Sequence, residues 1–114
     1  MRAPDIQLLW WEGCPSTDKA LGELRGALAE LGLSDTPIRK HEVRSDEEAD
    51  ELGFRGSPTI LIDGSDLVAA EPEAPTGLSC RIYRRRDGRI SPTPDPEDLR
   101  SALRAAAERP AVAR

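Results

Sequence analysis

The sequence predicts one α/β domain, from three observations. Short apolar runs alternate with helix-period stretches in the order β-α-β-α-β-β-α. The chain has 114 residues, enough for one core and too few for two. Apolar residues make up 38% and aromatics 4%, so the core must rest on Leu, Ile, Val and Ala. Residues 1–108 are read as the domain and 109–114 as a frayed tail.

Ile6–Trp11 is a short apolar run ending at Glu12-Gly13. It reads as a strand buried on most of both faces. Ala20, Leu21, Leu24, Ala27, Leu28 and Leu31 then form one helical stripe. The spacing predicts a helix over about 15–31, with Pro15 at its first position and Gly32 as its stop. Ile38–Val43 is polar and reads as an edge strand. Ser45 with Glu48 is a capping-box pattern opening a short helix that ends near Leu52-Gly53. Thr59–Ile62 is the clearest strand, ended by Asp63-Gly64. Residues 65–78 read as a long loop. Cys80–Arg84 alternates like a strand with one exposed face, and Asp87-Gly88 signals a turn. Asp95-Pro96 starts a last helix whose stripe is Leu99, Ala102, Leu103 and Ala106. The β-α-β opening implies parallel strands, and the later β-β pair an antiparallel one.

Sixteen Lys and Arg against 21 Asp and Glu leave a net charge of −5. Nucleic-acid binders concentrate positive charge. The one basic run, Arg84–Arg86, reads as a solvated face, so no nucleic-acid partner is expected. No apolar run approaches the ~20 residues of a membrane span, and the first residues lack a signal-peptide core. A cytoplasmic protein without a membrane partner is expected. No Cys-x-x-Cys pair with partner ligands and no phosphate-binding glycine loop is present, so no cofactor is expected.

Cys14 stands where the first strand meets the first helix. The unpaired N–H groups of a helix start stabilise a thiolate, the nucleophilic form of cysteine. Thr17 is three residues on, and its hydroxyl is placed to donate to the Cys14 sulfur. A small helix cap or a buried hydrophobe is the plain alternative for Cys14. Trp11 is a candidate apolar wall of the site. Ser57-Pro58 opens the clearest strand, a place where a trans proline is ordinary. A cis bond there would leave the Ser57 backbone free for an extended partner near Cys14.

Trp10-Trp11-Glu12-Gly13-Cys14-Pro15-Ser16-Thr17 and Phe54-Arg55-Gly56-Ser57-Pro58-Thr59-Ile60-Leu61-Ile62-Asp63-Gly64, with the order of elements, resemble the thioredoxin-like superfamily. The resemblance covers most of residues 5–107. It is nearest in kind to small bacterial thioredoxin-like proteins, some labelled alkylmercury lyases. There a Gly-Cys-Pro start accompanies a later Gly-Leu-x-Cys-Arg segment, here Gly77-Leu78-Ser79-Cys80-Arg81. It implies a four-stranded mixed sheet with flanking helices and a reactive Cys14. It also implies a cis Pro58 facing Cys14, and a thiol, disulfide or electrophile approaching between them past Pro15 and Ser57. Redox relatives carry Cys-x-x-Cys, whereas this chain has Cys-x-x-Thr and no local resolving thiol. Cys80 is the only other cysteine. On the simple topology it starts the next strand at the far end of the sheet, beyond the ~7 Å Cα reach of a disulfide. The loop 65–78 is long enough to bring it back.

Three functions are compatible with these residues. The first is a thiol oxidoreductase acting on a small-molecule or protein substrate, with Cys14 as nucleophile and Cys80 or an external thiol resolving. The second is a soft-metal or organomercurial site on Cys14 and Cys80, for Hg(II) or Cu(I). Asp63 and Asp66 are its candidate proton donors. The third is a non-catalytic module, a homodimer through the edge strand or the rim around Trp11. His41 reads as a bystander on the edge strand, away from the strand end that carries Cys14, and Glu71 and Glu73 read as solvated loop acids.

Overall fold

The computed structural model describes residues 2–69 and 73–109. Its elements are β1 (Ile6–Trp10), α1 (Thr17–Glu30), β2 (Ile38–Glu42), α2 (Asp46–Leu52), β3 (Thr59–Ile62), β4 (Ser65–Asp66), β5 (Tyr83–Arg84), β6 (Ile90–Ser91) and α3 (Pro96–Glu108). The main sheet has the order β2-β1-β3-β4. β1 and β2 are parallel, as a βα-β unit requires, and β3 runs antiparallel to both β1 and β4. This is an α/β domain with a four-stranded mixed sheet and three helices among the described residues.

Alternation along the strands feeds two apolar clusters. Ile6, Leu8, Ile60 and Ile62 face α1 and α3, meeting Leu24, Leu28, Leu99 and Leu103. Leu9 faces the other way, onto Val43, Ala49 of α2 and Phe54. The sheet is thus covered on both faces, and Leu8 and Leu9 are both buried, as the apolar run predicts. β2 is an edge strand, as its polarity predicts.

Local chemistry sets the helix ends. Ser45 Oγ accepts the Glu48 N–H at 3.1 Å. The return arm of the capping box lands one residue early, since the Glu48 carboxylate accepts the Arg44 N–H at 2.8 Å. Asp95 caps α3 through the Glu97 N–H at 2.8 Å, with Pro96 in first position. α1 starts later than the apolar stripe predicts. Ser16 is its N-cap, so Pro15 stands ahead of the helix. α1 closes with a paired C-terminal motif, Leu33 N–H to Leu28 C=O and Gly32 N–H to Ala29 C=O.

The fourth strand corrects the sequence reading. Asp63 and Gly64 both take positive φ, 52° and 84°, the geometry of a two-residue hairpin turn. They fold Ser65–Asp66 directly back onto β3, within the stretch expected to be loop. Cys80–Arg84 is not a strand of the main sheet. Only Tyr83–Arg84 is a strand, paired with β6 in a separate two-stranded ribbon around the Asp87-Gly88 turn. The alternation itself holds: Arg81 and Tyr83 are buried, while Cys80, Ile82 and Arg84 are exposed. Glu71 and the tail beyond Arg109 lie outside the described residues. No helix among those described is long and apolar enough to cross a membrane.

Candidate functional site

Cys14 follows a tight turn off the end of β1, closed by its own N–H to Trp11 C=O at 3.0 Å. The Trp11 ring packs against this turn. A Cβ at Gly13 would stand 2.4 Å from the ring carbons, so a larger residue there would have to displace the Trp11 ring. The Cys14 side chain is buried. Its Sγ accepts the Ser16 N–H at 3.5 Å, at the mouth of α1, and donates to Ser57 C=O at 3.4 Å. The expected Thr17 bond is absent. Thr17 Oγ1 is buried with no hydrogen-bond partner, because α1 starts at Thr17 and the Ser16 backbone serves the sulfur instead.

The Ser57–Pro58 peptide is cis. Ser57 is fully buried, and its Oγ accepts the Trp11 N–H at 3.1 Å, which ties the start of β3 to the Cys14 turn. The Ser57 backbone is not free, contrary to expectation. Its N–H donates to Ser79 C=O and its C=O accepts the Arg81 N–H, both at 2.8 Å. Residues 79–81 therefore lie along Ser57, in a parallel bridge that sets Cys80 opposite it. The chain's own strap fills the place expected for a partner.

Cys80 reaches the site by this route. Its sulfur is reduced and exposed. Partial loss of water, then the negative charge of Cys14 and a hydrogen bond with Cys14, push its thiol above the ordinary 9.0. Each neighbour favours the protonated form. The two cysteines, 66 positions apart in sequence (80 − 14), are thus neighbours.

The strap is held chiefly by Arg81 and Tyr83, to which the sequence assigned no role. The Arg81 guanidinium is buried and donates to Asp66 Oδ2 at 2.8 Å, Thr59 Oγ1 at 3.3 Å and Val68 C=O at 2.6 Å. It also lies over the Tyr83 ring, 4.7 Å from its centroid. The Tyr83 hydroxyl donates to Pro58 C=O. Gly56, with φ 139°, allows the close approach, since a Cβ there would meet the Arg81 backbone at 2.9 Å. The visible signal was the alternation itself, in which Arg81 shares the inward face with Tyr83.

Asp66 is therefore an anchor of the strap, not a free acid. Asp63 lies at the opposite end of β3 from Pro58. It pairs with Arg2 and Arg109 and accepts the Asp5 N–H at 2.9 Å, so neither acid is free to serve Cys14. His41 is set opposite Leu9, nearer the Cys14 end of the sheet than its edge position suggested. It is engaged with Glu48, Nε2 to Oε2 at 2.9 Å. Glu73 is exposed. Arg85 donates to Ser91 and Thr93, and Arg86 pairs with Asp98. A cleft of about 240 Å³ opens onto Cys14, lined by Trp10, Cys14, Pro15, Thr17, Asp18 and Lys40. Trp10, rather than Trp11, is its aromatic wall, while Trp11 packs with Leu9, Val43, Ala49 and Phe54.

No family model, curated protein or solved structure matches this chain.

Proposed function

We propose that the chain is a thioredoxin-like thiol oxidoreductase in which Cys14 is the nucleophile and Cys80 the resolving thiol. The observation that carries this reading is the parallel bridge between Ser57 and Cys80, which sets the second cysteine opposite the residue that Cys14 Sγ contacts. A dithiol cycle needs such a sulfur to release the mixed disulfide, and the Cys-x-x-Thr sequence does not supply it locally. Cys14 attacks a sulfur electrophile and Cys80 then attacks the Cys14 sulfur. The Ser16 N–H stabilises negative charge on Cys14, while the Ser57 carbonyl accepts from the neutral thiol and positions it before ionisation.

The test is mild oxidation of dilute reduced protein, followed by peptide mapping in a mass spectrometer. The expected product is a Cys14–Cys80 crosslinked peptide, lost in Cys14→Ser and Cys80→Ser along with disulfide reduction. A Cys80 that stays free while Cys14 is oxidised alone would rule the cycle out.

The same pair of sulfurs favours one second reading. Two thiolates with no third His, Cys, Asp or Glu gathered around them among the described residues suit a two-coordinate soft ion such as Hg(II) or Cu(I). One equivalent of Hg(II) would then protect both cysteines from alkylation at once. Unchanged thiol accessibility would exclude it.

A further inference from the structure

An extended peptide docks on a thiol site by pairing its backbone with a free strand edge. The edge beside Cys14 is Ser57, and both of its backbone groups are already paired with residues 79 and 81. This occupant is not loosely held. Releasing it would strip the buried Arg81 guanidinium of Asp66, Thr59 and Val68, and free the Tyr83 hydroxyl from Pro58. Uncovering a buried charge in this way is costly. Among the described residues a cleft of about 240 Å³ opens beside Cys14, between Trp10, Pro15, Asp18 and Lys40. That volume is below the usual range for drug-sized ligands and suits a small molecule.

We propose that the substrate of Cys14 is a low-molecular-weight disulfide, and that the strap Ser79–Arg81 excludes extended peptide disulfides from the site. This rests on the reading of Cys14 and Cys80 as a redox pair. The Cys14 thiolate attacks one sulfur of R–S–S–R. The S–S bond breaks, a Cys14–S–S–R bond forms, and R–S⁻ leaves and takes up a proton. The Cys80 thiolate then attacks the Cys14 sulfur, and the Cys80 proton passes to the second R–S⁻. The protein dithiol loses two electrons and becomes the Cys14–Cys80 disulfide, while the substrate becomes two R–SH. An excess of low-molecular-weight thiol returns the pair to the reduced form.

The experiment is a single turnover of the full reduced chain. One reaction receives 2-hydroxyethyl disulfide and the other an unstructured peptide dimer joined by one disulfide. Each is quenched in acid and scored for the Cys14–Cys80 peptide. Each rate is divided by that of the same disulfide with dithiothreitol, which removes intrinsic reactivity. The small disulfide is expected to be at least about tenfold faster, the penalty of displacing one charge-assisted anchor. Asp66→Asn, which weakens the Arg81 anchor, is expected to narrow that gap by raising the peptide rate. A peptide disulfide that reacts as fast as the small one in the unaltered chain overturns the proposal. If neither disulfide yields the Cys14–Cys80 peptide, the redox reading itself falls and the proposal with it.

Discussion

Cys80 is set by its neighbours to hold its proton while Cys14 is free. Desolvation, the Cys14 charge and the hydrogen bond with Cys14 all act in that direction. In the proposed cycle two of the three would vanish on formation of the Cys14 mixed disulfide, which would make Cys80 the better nucleophile at the resolving step. The sign for stability follows from linkage. A raised value in the folded state means that the fold keeps a proton the unfolded chain would lose. This stabilisation is whole below the ordinary 9.0 and is lost as pH rises through the raised value. Removing Cys14 should therefore release Cys80. In Cys14→Ala, alkylation of Cys80 by iodoacetamide at mildly alkaline pH should be about threefold faster or more. An equal or slower rate would mean that Cys14 does not act on it. Cys14 itself was legible as a candidate, because a cysteine between a strand and a helix start needs only local sequence to be noticed. The Thr17 role was not, because the exact first residue of α1 decides which group faces the sulfur.

The strap of residues 79–81 decides the site at the level of elements, and Gly56 decides the strap. A side chain at Gly56 is strained by its φ of 139° and would meet the Arg81 backbone at 2.9 Å. Backbone on backbone cannot give way as a flexible side chain can. Gly56→Ala should cost about 2 kcal/mol of stability and should cut the yield of the Cys14–Cys80 crosslink. Thermal unfolding and peptide mapping after oxidation would check both, and an undiminished crosslink would mean that the strap docks without this close approach. The helices and β1 to β3 were legible because period and caps are local signals: the stripe of α1, Ser45 before α2, Asp95-Pro96 before α3. The two-residue β4 was hidden although its turn, Asp63-Gly64, was in plain view. A strand so short carries no period of its own. Cys80–Arg84 misled in the opposite way, since its alternation is real but its partners are Ser57 and β6 rather than the main sheet.

The segments before β1 and after α3 are joined at Asp63. Its carboxylate pairs with Arg2 before β1 and Arg109 after α3, and accepts the Asp5 N–H. Desolvation pushes its carboxyl up, but the Asp5 N–H and the two arginines outweigh this and hold it below the ordinary 3.8. A lowered carboxyl stabilises the fold above its ordinary value, and that contribution is lost as pH falls through the lowered one. Asp63→Asn should cost about 1–2 kcal/mol near neutral pH, and the gap should close as the pH drops below about 3.8. Urea unfolding at two pH values would measure it, and a gap independent of pH would remove the charge from the account. At this scale the sequence by itself determined the α/β class, the order of the main elements, both faces of the apolar core and the place of Cys14. Each is written in local period, capping residues or composition. Only the tertiary structure decided that Cys80 lies against Cys14, that Ser57 is already occupied, and that Arg81 is a buried anchor rather than one more surface charge. The reason is physical: these outcomes depend on where a non-periodic segment packs after the sheet has formed. That packing is set by contacts among Gly56, Ser57, Thr59, Asp66 and Arg81, none of which has a repeating signature along the chain.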